Sequence, residues 1–339
     1  MSSTAAAAEA ESTTERLTLV EGVQEGLHTE MERDDRVMVL GEDVGKNGGV
    51  FRATEGLYDE FGGGRVVDTP LAESGIVGSA IGLALSGLRP VAEMQFMGFM
   101  YPAFDQLVSH AARLRSRSHG QYTCPLVVRA PYGGGIHAPE HHSESKEAFF
   151  VHEPGLKVVV PSTPADAKGL LTAAIRDPDP VVFLEPKLIY RAFREEVPTG
   201  SHEVSLGEAA VRREGSDVSV FTWGAITRPA LIAADNLADE HGVDCEVVDL
   251  RTLSPLDTDS VVTSFEKTGR AAVVHEAPKT AGFGAEIATT IQEEALLYQE
   301  APIKRIAGFD APMPLHALED YYLPQAVRIQ DGILETVTF

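Results

Sequence analysis

Asp68-Thr69-Pro70-Leu71-Ala72-Glu73-Ser74-Gly75-Ile76-Val77-Gly78 places one carboxylate at the start of a glycine-rich helix, among apolar residues. The Val66-Val67 pair before it reads as a short strand, so a strand, a turn and a helix follow in succession. In a helix interior Gly75, Gly78 and Gly82 would each cost about 1 kcal/mol relative to alanine. A sequence that accepts this cost needs backbone exposed along one face, and Gly78 and Gly82 stand one turn apart. Close contact with another helix, across a subunit boundary, is the simplest cause. A carboxylate at the base of such a contact would be desolvated, which favours its sharing a proton with a ring nitrogen. An acid in a helix's first turn is also favoured by the dipole, by about 0.3–1 kcal/mol. It is the glycine neighbours, not the position alone, that mark Glu73 as a chemical group.

Outward from this turn the chain alternates. Leu17 to Glu32 carries Leu19, Val23, Leu27 and Met31 at helical spacing, and Val37 to Leu40 follows as a short buried strand. Pro90 to Met94, Pro125 to Arg129, Leu156 to Val160 and Val181 to Leu184 read as strands, and Ala103 to Arg117 and Pro164 to Arg176 as helices. Strand then helix, repeated, is the pattern of a parallel sheet covered on both faces. Ligands in such sheets bind beyond the carboxyl ends of the strands. The pattern breaks in charged, proline-containing sequence at 191–206, which reads as a linker between a first domain over 17–190 and a second over 207–339. In the second, Val218 to Phe221, Cys245 to Leu250 and Ala271 to Val274 are strands, and Arg228 to His241 and Gly282 to Tyr298 helices. The expected class is α/β, with two domains and mostly parallel sheets.

The 339 residues carry 28 basic and 51 acidic side chains, a formal charge of -23, so nucleic-acid phosphates would be repelled. Lysine is scarce beside arginine and the acids are spread along the whole chain, a pattern that suits solubility in high salt. No apolar run approaches the roughly 20 residues of a membrane helix. The opening segment lacks an export signal and reads, over 1–16, as a disordered tail. Cys124 and Cys245 form no CxxC, which fits a reducing cytoplasm.

The loop Gly133-Gly134-Gly135-Ile136-His137-Ala138-Pro139-Glu140-His141-His142-Ser143 gathers three histidines. Such donors allow a metal site, and hence a metal-dependent hydrolase as a competing function. A glycine-rich loop, however, lacks the helical spacing that aims ligands at one point.

Several blocks carry a resemblance. Asp68 to Gly78, with Gly82 to Phe96, Gly41-Glu42-Asp43-Val44-Gly45, Ser162 to Leu170, Asp249 to Asp257 and Lys267-Thr268-Gly269-Arg270, is similar to the beta subunit of the decarboxylating component of 2-oxo acid dehydrogenase complexes. The similarity runs from about Leu17 to the carboxyl terminus. It implies a transketolase-like fold, thiamine diphosphate with Mg2+ as cofactor, and oxidative decarboxylation of pyruvate or a branched-chain 2-oxo acid with acyl transfer to lipoyl groups.

Within that resemblance Glu73 matches the glutamate that hydrogen-bonds N1' of the aminopyrimidine. Phe99 matches the aromatic stacked on that ring, with Phe96 as a near alternative or a core residue. His142 matches the active-site histidine, suited to contact the substrate carboxylate or move protons; His137 is a weaker candidate and His141 a neighbour. Glu42 and Asp105 match acids along a passage between paired thiamine sites, although Pro102 stands where some relatives carry another acid. Leu126, Ala174, Asp177 and Asp179 match a carbonyl-lined monovalent cation site, with K+ as the candidate ion. Asp179 replaces a common asparagine there, and a surface turn is the competing reading.

The diphosphate half of such a site needs a GDG motif followed by asparagine, as the family pattern implies. This chain has no GDG, and its two asparagines, Asn47 and Asn236, are not so placed. The resemblance therefore implies an alpha subunit that holds Mg2+ and the diphosphate, in a heterotetramer of two alpha and two beta chains. It also implies a dihydrolipoyl acyltransferase core as partner, docked in some relatives at the beta carboxyl terminus, where Phe339 is terminal. A non-catalytic scaffold that keeps the fold alone is a further competing reading.

Overall fold

The computed structural model describes residues 13–339. Fourteen strands are described: β1 Thr14–Leu17, β2 Val37–Gly41, β3 Val66–Asp68, β4 Arg89–Glu93, β5 Val127–Tyr132, β6 Lys157–Val159, β7 Val181–Pro186, β8 Glu195–Pro198, β9 Ala210–Arg213, β10 Val218–Thr222, β11 Cys245–Asp249, β12 Thr252–Ser254, β13 Ala271–Pro278 and β14 Lys304–Gly308. They make a seven-stranded sheet in the order β12-β6-β7-β5-β4-β2-β3, a five-stranded sheet β14-β13-β10-β11-β9, and a two-stranded ribbon β1-β8. Within the two large sheets only the edge strands β12 and β9 pair antiparallel. The mostly parallel α/β class is as the sequence led one to expect.

The central strands β2, β5, β7, β10 and β11 are buried at every residue, mostly apolar and without alternation of buried and exposed positions. That is what a strand covered on both faces requires. Helices Leu19–Arg33 and Pro164–Arg176 pack together on one face of the larger sheet. Their approach is set by glycine: a Cβ at Gly22 would stand 2.5 Å from the Pro164 carbonyl oxygen, and one at Gly26 3.3 Å from that of Lys168.

The glycines of helix Glu73–Leu85 behave differently. A Cβ at Gly75 would meet only Ala72, one at Gly78 would lie 3.3 Å from Gln106 Oε1, and one at Gly82 would meet nothing within 4 Å. The π-type segment that begins at Gln106 covers the face at Gly78, while among the described residues nothing meets it at Gly82, and its outer end carries the exposed Leu85.

Three expectations change. Residues 1–12 of the expected disordered tail lie outside the described residues, but Thr14–Leu17 form β1, in register with β8 inside the expected linker. β1 is mostly exposed and polar, so no apolar alternation announces it. The helix expected over Ala103 to Arg117 is broken into a 3-10 turn at Tyr101–Ala103, a π-type segment at Gln106–Ala111 and a short α-helical turn at Leu114–Arg117. Such π-type insertions tend to occur near functional sites. Strands β9, β12 and β14 and helices Thr258–Thr268 and Ala326–Val337 add to the elements read from sequence. No helix among the described residues is long and apolar enough to cross a membrane.

Candidate active site

The site grows from one row of the larger sheet. Gly41 of β2 pairs with Asp68 of β3 on one side and Glu93 of β4 on the other, and Glu93 pairs with Arg129 of β5. The chain leaves each strand at or just beyond this row, so the four following loops emerge side by side. They carry Glu42, Glu73, the Phe96–Phe99 turn and the histidine loop. Asp68 fixes the first pair: it accepts from the backbone N–H of Gly45 at 2.6 Å, while Thr69 N–H donates to the Gly41 carbonyl at 2.9 Å. Glu42 and Glu73, both half-buried, are thereby neighbours. Burial raises the Glu42 pKa, and the charges of Glu73 and Asp43 raise it further.

The third and fourth loops interlock. A Cβ at Gly98 would collide with the His141 carbonyl, so only glycine lets the histidine loop settle on the turn. That contact brings the His142 ring edge-on to Phe96, at 4.4 Å between centroids, and to Phe99, at 5.2 Å. Its Nδ1 is buried without a hydrogen-bond partner among the described residues. Phe96 is 8% exposed and backs onto Phe51, whereas Phe99 keeps part of its ring open. Of the two rings Phe99 is thus the more open, with Phe96 packed edge-on behind it.

Beneath the row lies a buried charge cluster that sequence reading did not single out. Arg129, 1% exposed, donates to Glu93 and, through Nε and Nη2 at 2.6 and 2.7 Å, to Glu185. Tyr190 donates to the same Glu185 carboxylate at 2.5 Å. Burial alone would lower the Arg129 pKa, but Glu185 and Glu93 outweigh it, and the guanidinium stays charged. Burial raises the Glu93 pKa, against the pull of Arg129, and the Glu185 charge adds to the rise. The signal available in the sequence was a charged residue ending each of two apolar runs, Val127-Val128-Arg129 and Val182-Phe183-Leu184-Glu185.

The three histidines do not converge. His137 turns away from His142 to stack on His316 at 4.3 Å, with Nδ1 3.7 Å from Glu319. His141 is exposed beside Glu140. Among the described residues the donors that gather within 4.8 Å are His28, Glu32 and Glu60, outside this loop. The hydrolase reading therefore has no assembled metal site in the loop that prompted it.

Asp105 is exposed, as is Pro102, whose carbonyl accepts from the Ser74 hydroxyl. At the proposed cation position the Leu126 carbonyl already accepts from Val181 N–H at 2.9 Å, and that of Asp177 from Arg89 at 3.3 Å. The Ala174 carbonyl accepts from Asp177 N–H at 3.3 Å. Asp179 pairs with Arg115 at 2.7 Å and Asp177 with Lys157. The protein's own cations thus occupy the turn.

A carboxylate pair, a partly open aromatic ring and an orphaned imidazole nitrogen fit an aminopyrimidine: one acid to meet a ring nitrogen, one ring to stack. The cluster holds no group suited to a diphosphate.

Comparison with known proteins gives the family. Residues 15–192 match the transketolase pyrimidine binding domain, and residues 207–329 the transketolase C-terminal domain. The pyruvate dehydrogenase E1 component subunit beta of Bacillus subtilis is 53% identical over 321 residues, covering 95% of this chain and 97% of that one. The mitochondrial 2-oxoisovalerate dehydrogenase subunit beta of Dictyostelium discoideum is 49% identical over 327 residues, covering 96% and 88%. Among solved structures, a split-gene transketolase described as an inactive beta4 tetramer superposes with a TM-score of 0.77 at 22% identity, covering 95% of this chain and 98% of that one, a likeness of fold.

Proposed function

This chain belongs to the beta-subunit family of 2-oxo acid dehydrogenases, built on transketolase-type domains, and from that premise we propose that it supplies the aminopyrimidine half of a thiamine diphosphate site completed by an alpha subunit. The observation that carries the reading is that Glu42 and Glu73 on one pair of loops, and Phe99 and His142 on the next, leave the carboxyl ends of four adjacent strands, β3, β2, β4 and β5, beside a helix whose Gly82 meets nothing among the described residues.

Each residue has a task that follows from its placement. Glu73 would hold a ring nitrogen of the pyrimidine through its carboxyl group, and Glu42 beside it, its own pKa raised by burial and then by the Glu73 charge, would keep the pair from carrying two full charges. Phe99 packs against the ring and Phe96 holds Phe99 and His142 in place. His142, with Nδ1 free of protein partners, donates to or accepts from the substrate carboxylate or the departing acyl group. The Arg129 cluster fixes the ends of β4, β5 and β7, on which these loops stand. When bound, the cofactor supplies the nucleophilic carbon and the electron sink for loss of carbon dioxide.

The alpha subunit would hold Mg2+ and the diphosphate, and the open glycine face of helix Glu73–Leu85 would lie at a subunit boundary of a heterotetramer of two alpha and two beta chains. A dihydrolipoyl acyltransferase core would receive the acyl group, and the assembly would work in the cytoplasm on pyruvate or a branched-chain 2-oxo acid. K+ at Leu126, Ala174, Asp177 and Asp179 would be a structural ion competing with Arg89 and Lys157 at Asp177 and with Arg115 at Asp179.

The test is 2-oxo acid-dependent dye reduction by the chain alone and co-expressed with its alpha subunit, with added thiamine diphosphate and Mg2+. Activity only in the co-expressed assembly is expected. Turnover by the isolated chain, or an assembled heterotetramer inert across 2-oxo acids of increasing side-chain size, would overturn the proposal.

A further inference from the structure

In an open parallel sheet, ligands favour the crevice beyond the carboxyl ends of the strands where the strand order reverses. In the second domain that point lies between β10 and β13. Here the first domain fills it. Trp223, just past β10, donates to Glu147 at 3.2 Å, and a Cβ at Gly224 would collide with the Tyr132 hydroxyl. Glu276, near the end of β13, accepts from the backbone N–H of Gly134 at 3.0 Å. Glu319, from the segment after β14, accepts from Gly135 N–H.

Both carboxylates are buried, at 3% and 0% exposure, and both reach the backbone only because glycine is there. A Cβ at Gly133 would run into Glu276, and one at Gly134 would stand 3.2 Å from Glu319 and 2.9 Å from Met313. Lys187, 3% exposed, has an ammonium without a hydrogen-bond partner among the described residues, and the two acids are the charges that act on it. Burial lowers its pKa to about 8, against the pull of Glu276 and then Glu319. The gripped loop is closed at its base by Gly133 N–H donating to the Glu144 carbonyl at 2.9 Å, and at its far end it seats His142 against Phe96.

We propose that Glu276 and Glu319, with Lys187 as their internal counter-charge, are positioning residues for His142: the second domain grips the glycine loop and so sets where the imidazole stands. This rests on the reading of His142 as an active-site group. A buried carboxylate bonded to backbone N–H is a strong, directional anchor. Gripping the loop from across the domain boundary makes the geometry of the first domain's site depend on the docking of the second.

The test uses the full chain co-expressed with its alpha subunit, as E276A, E276Q, E319Q and K187M. E276A is expected to lower kcat by about 100-fold, as a misplaced catalytic group does, with KM for the 2-oxo acid changed less than about 3-fold. E276Q keeps an acceptor for Gly134 N–H and is expected to recover at least about 10-fold of that loss; E319Q and K187M fall between. The second readout is independent of turnover: the rate at which diethyl pyrocarbonate modifies His142, followed by peptide mass spectrometry. It is expected to change several-fold in E276A and to return toward wild type in E276Q. Wild-type kcat and His142 reactivity in E276A would overturn the proposal. Equal impairment of E276A and E276Q in both readouts, or wild-type reactivity in K187M and E319Q where E276A does not fold, would overturn it as well. An inactive wild-type assembly would instead sink the functional reading, while the reactivity series would still decide whether the grip places the histidine.

Discussion

The imidazole of His142 stands edge-on to Phe96, 4.4 Å between ring centroids, and this contact joins two loops that leave neighbouring strands of one sheet. The histidine is held from below by the aromatic turn and from behind by Gly98, which leaves room for the His141 carbonyl. Its position therefore depends on backbone fit more than on any hydrogen bond of its own.

Gly98→Ala should push the His141 carbonyl, and with it His142, away from the turn. We expect kcat of the assembled enzyme to fall by about 100-fold, the scale of a misplaced catalytic group. Assembly with the alpha subunit should persist. Steady-state kinetics on the co-expressed enzyme measures this, and a kcat within twofold of wild type would contradict the account.

Glu73→Gln should abolish turnover while leaving the fold intact, because an amide cannot exchange the proton with the pyrimidine. The carboxylate is half-buried at the first turn of its helix, so the far-ultraviolet circular dichroism should be unchanged. Wild-type-like turnover in this variant would remove the assignment of Glu73.

Gly82→Ala separates folding from assembly. Nothing among the described residues lies within 4 Å of a Cβ there, so the isolated chain should gain about 0.5–1 kcal/mol from helix propensity alone. The same methyl should weaken subunit association if another chain packs on that face. Denaturant unfolding of the isolated chain and sedimentation of the mixture report the two effects, and a gain in both would show that the face is not an interface.

Glu147 gives a pH signature. Burial raises its pKa from 4.5 to about 7, with the charge of Glu276 adding to the rise and the Trp223 hydrogen bond and Lys146 opposing it. Tyr132, on β5, and Tyr322 are buried titratable groups whose pKa the Glu147 charge raises in turn. Below pH 4.5 the carboxyl is protonated folded or unfolded; between 4.5 and 7 the unfolded chain ionises first, so stability is lost as pH rises. The full difference is about 3 kcal/mol at 1.36 kcal/mol per pKa unit. Glu147→Gln should match wild type near pH 4 and be more stable by up to that amount near pH 8, as thermal melts across the range would show. A constant difference between the two proteins at all pH values would contradict it.

The sequence determined the alternation of strands and helices, because burial on both faces demands uninterrupted apolar runs such as Val37 to Leu40 and Val181 to Leu184. It also marked the glycine loop, the carboxylate at the helix start and the lack of a diphosphate motif, since these are local features. What it could not mark are groups whose meaning lies in their partners. Glu276 reads as an acid at a strand's end until Gly134, 142 residues away, is found within hydrogen-bond reach. The three histidines read alike until backbone fit sends His137 to His316 and His142 to Phe96. The ribbon β1-β8 likewise exists only as a pairing of distant, polar segments. Tertiary structure alone decided these, because a charge or a ring acquires its role from the distance and burial of what faces it, and neither is written in the spacing along one chain.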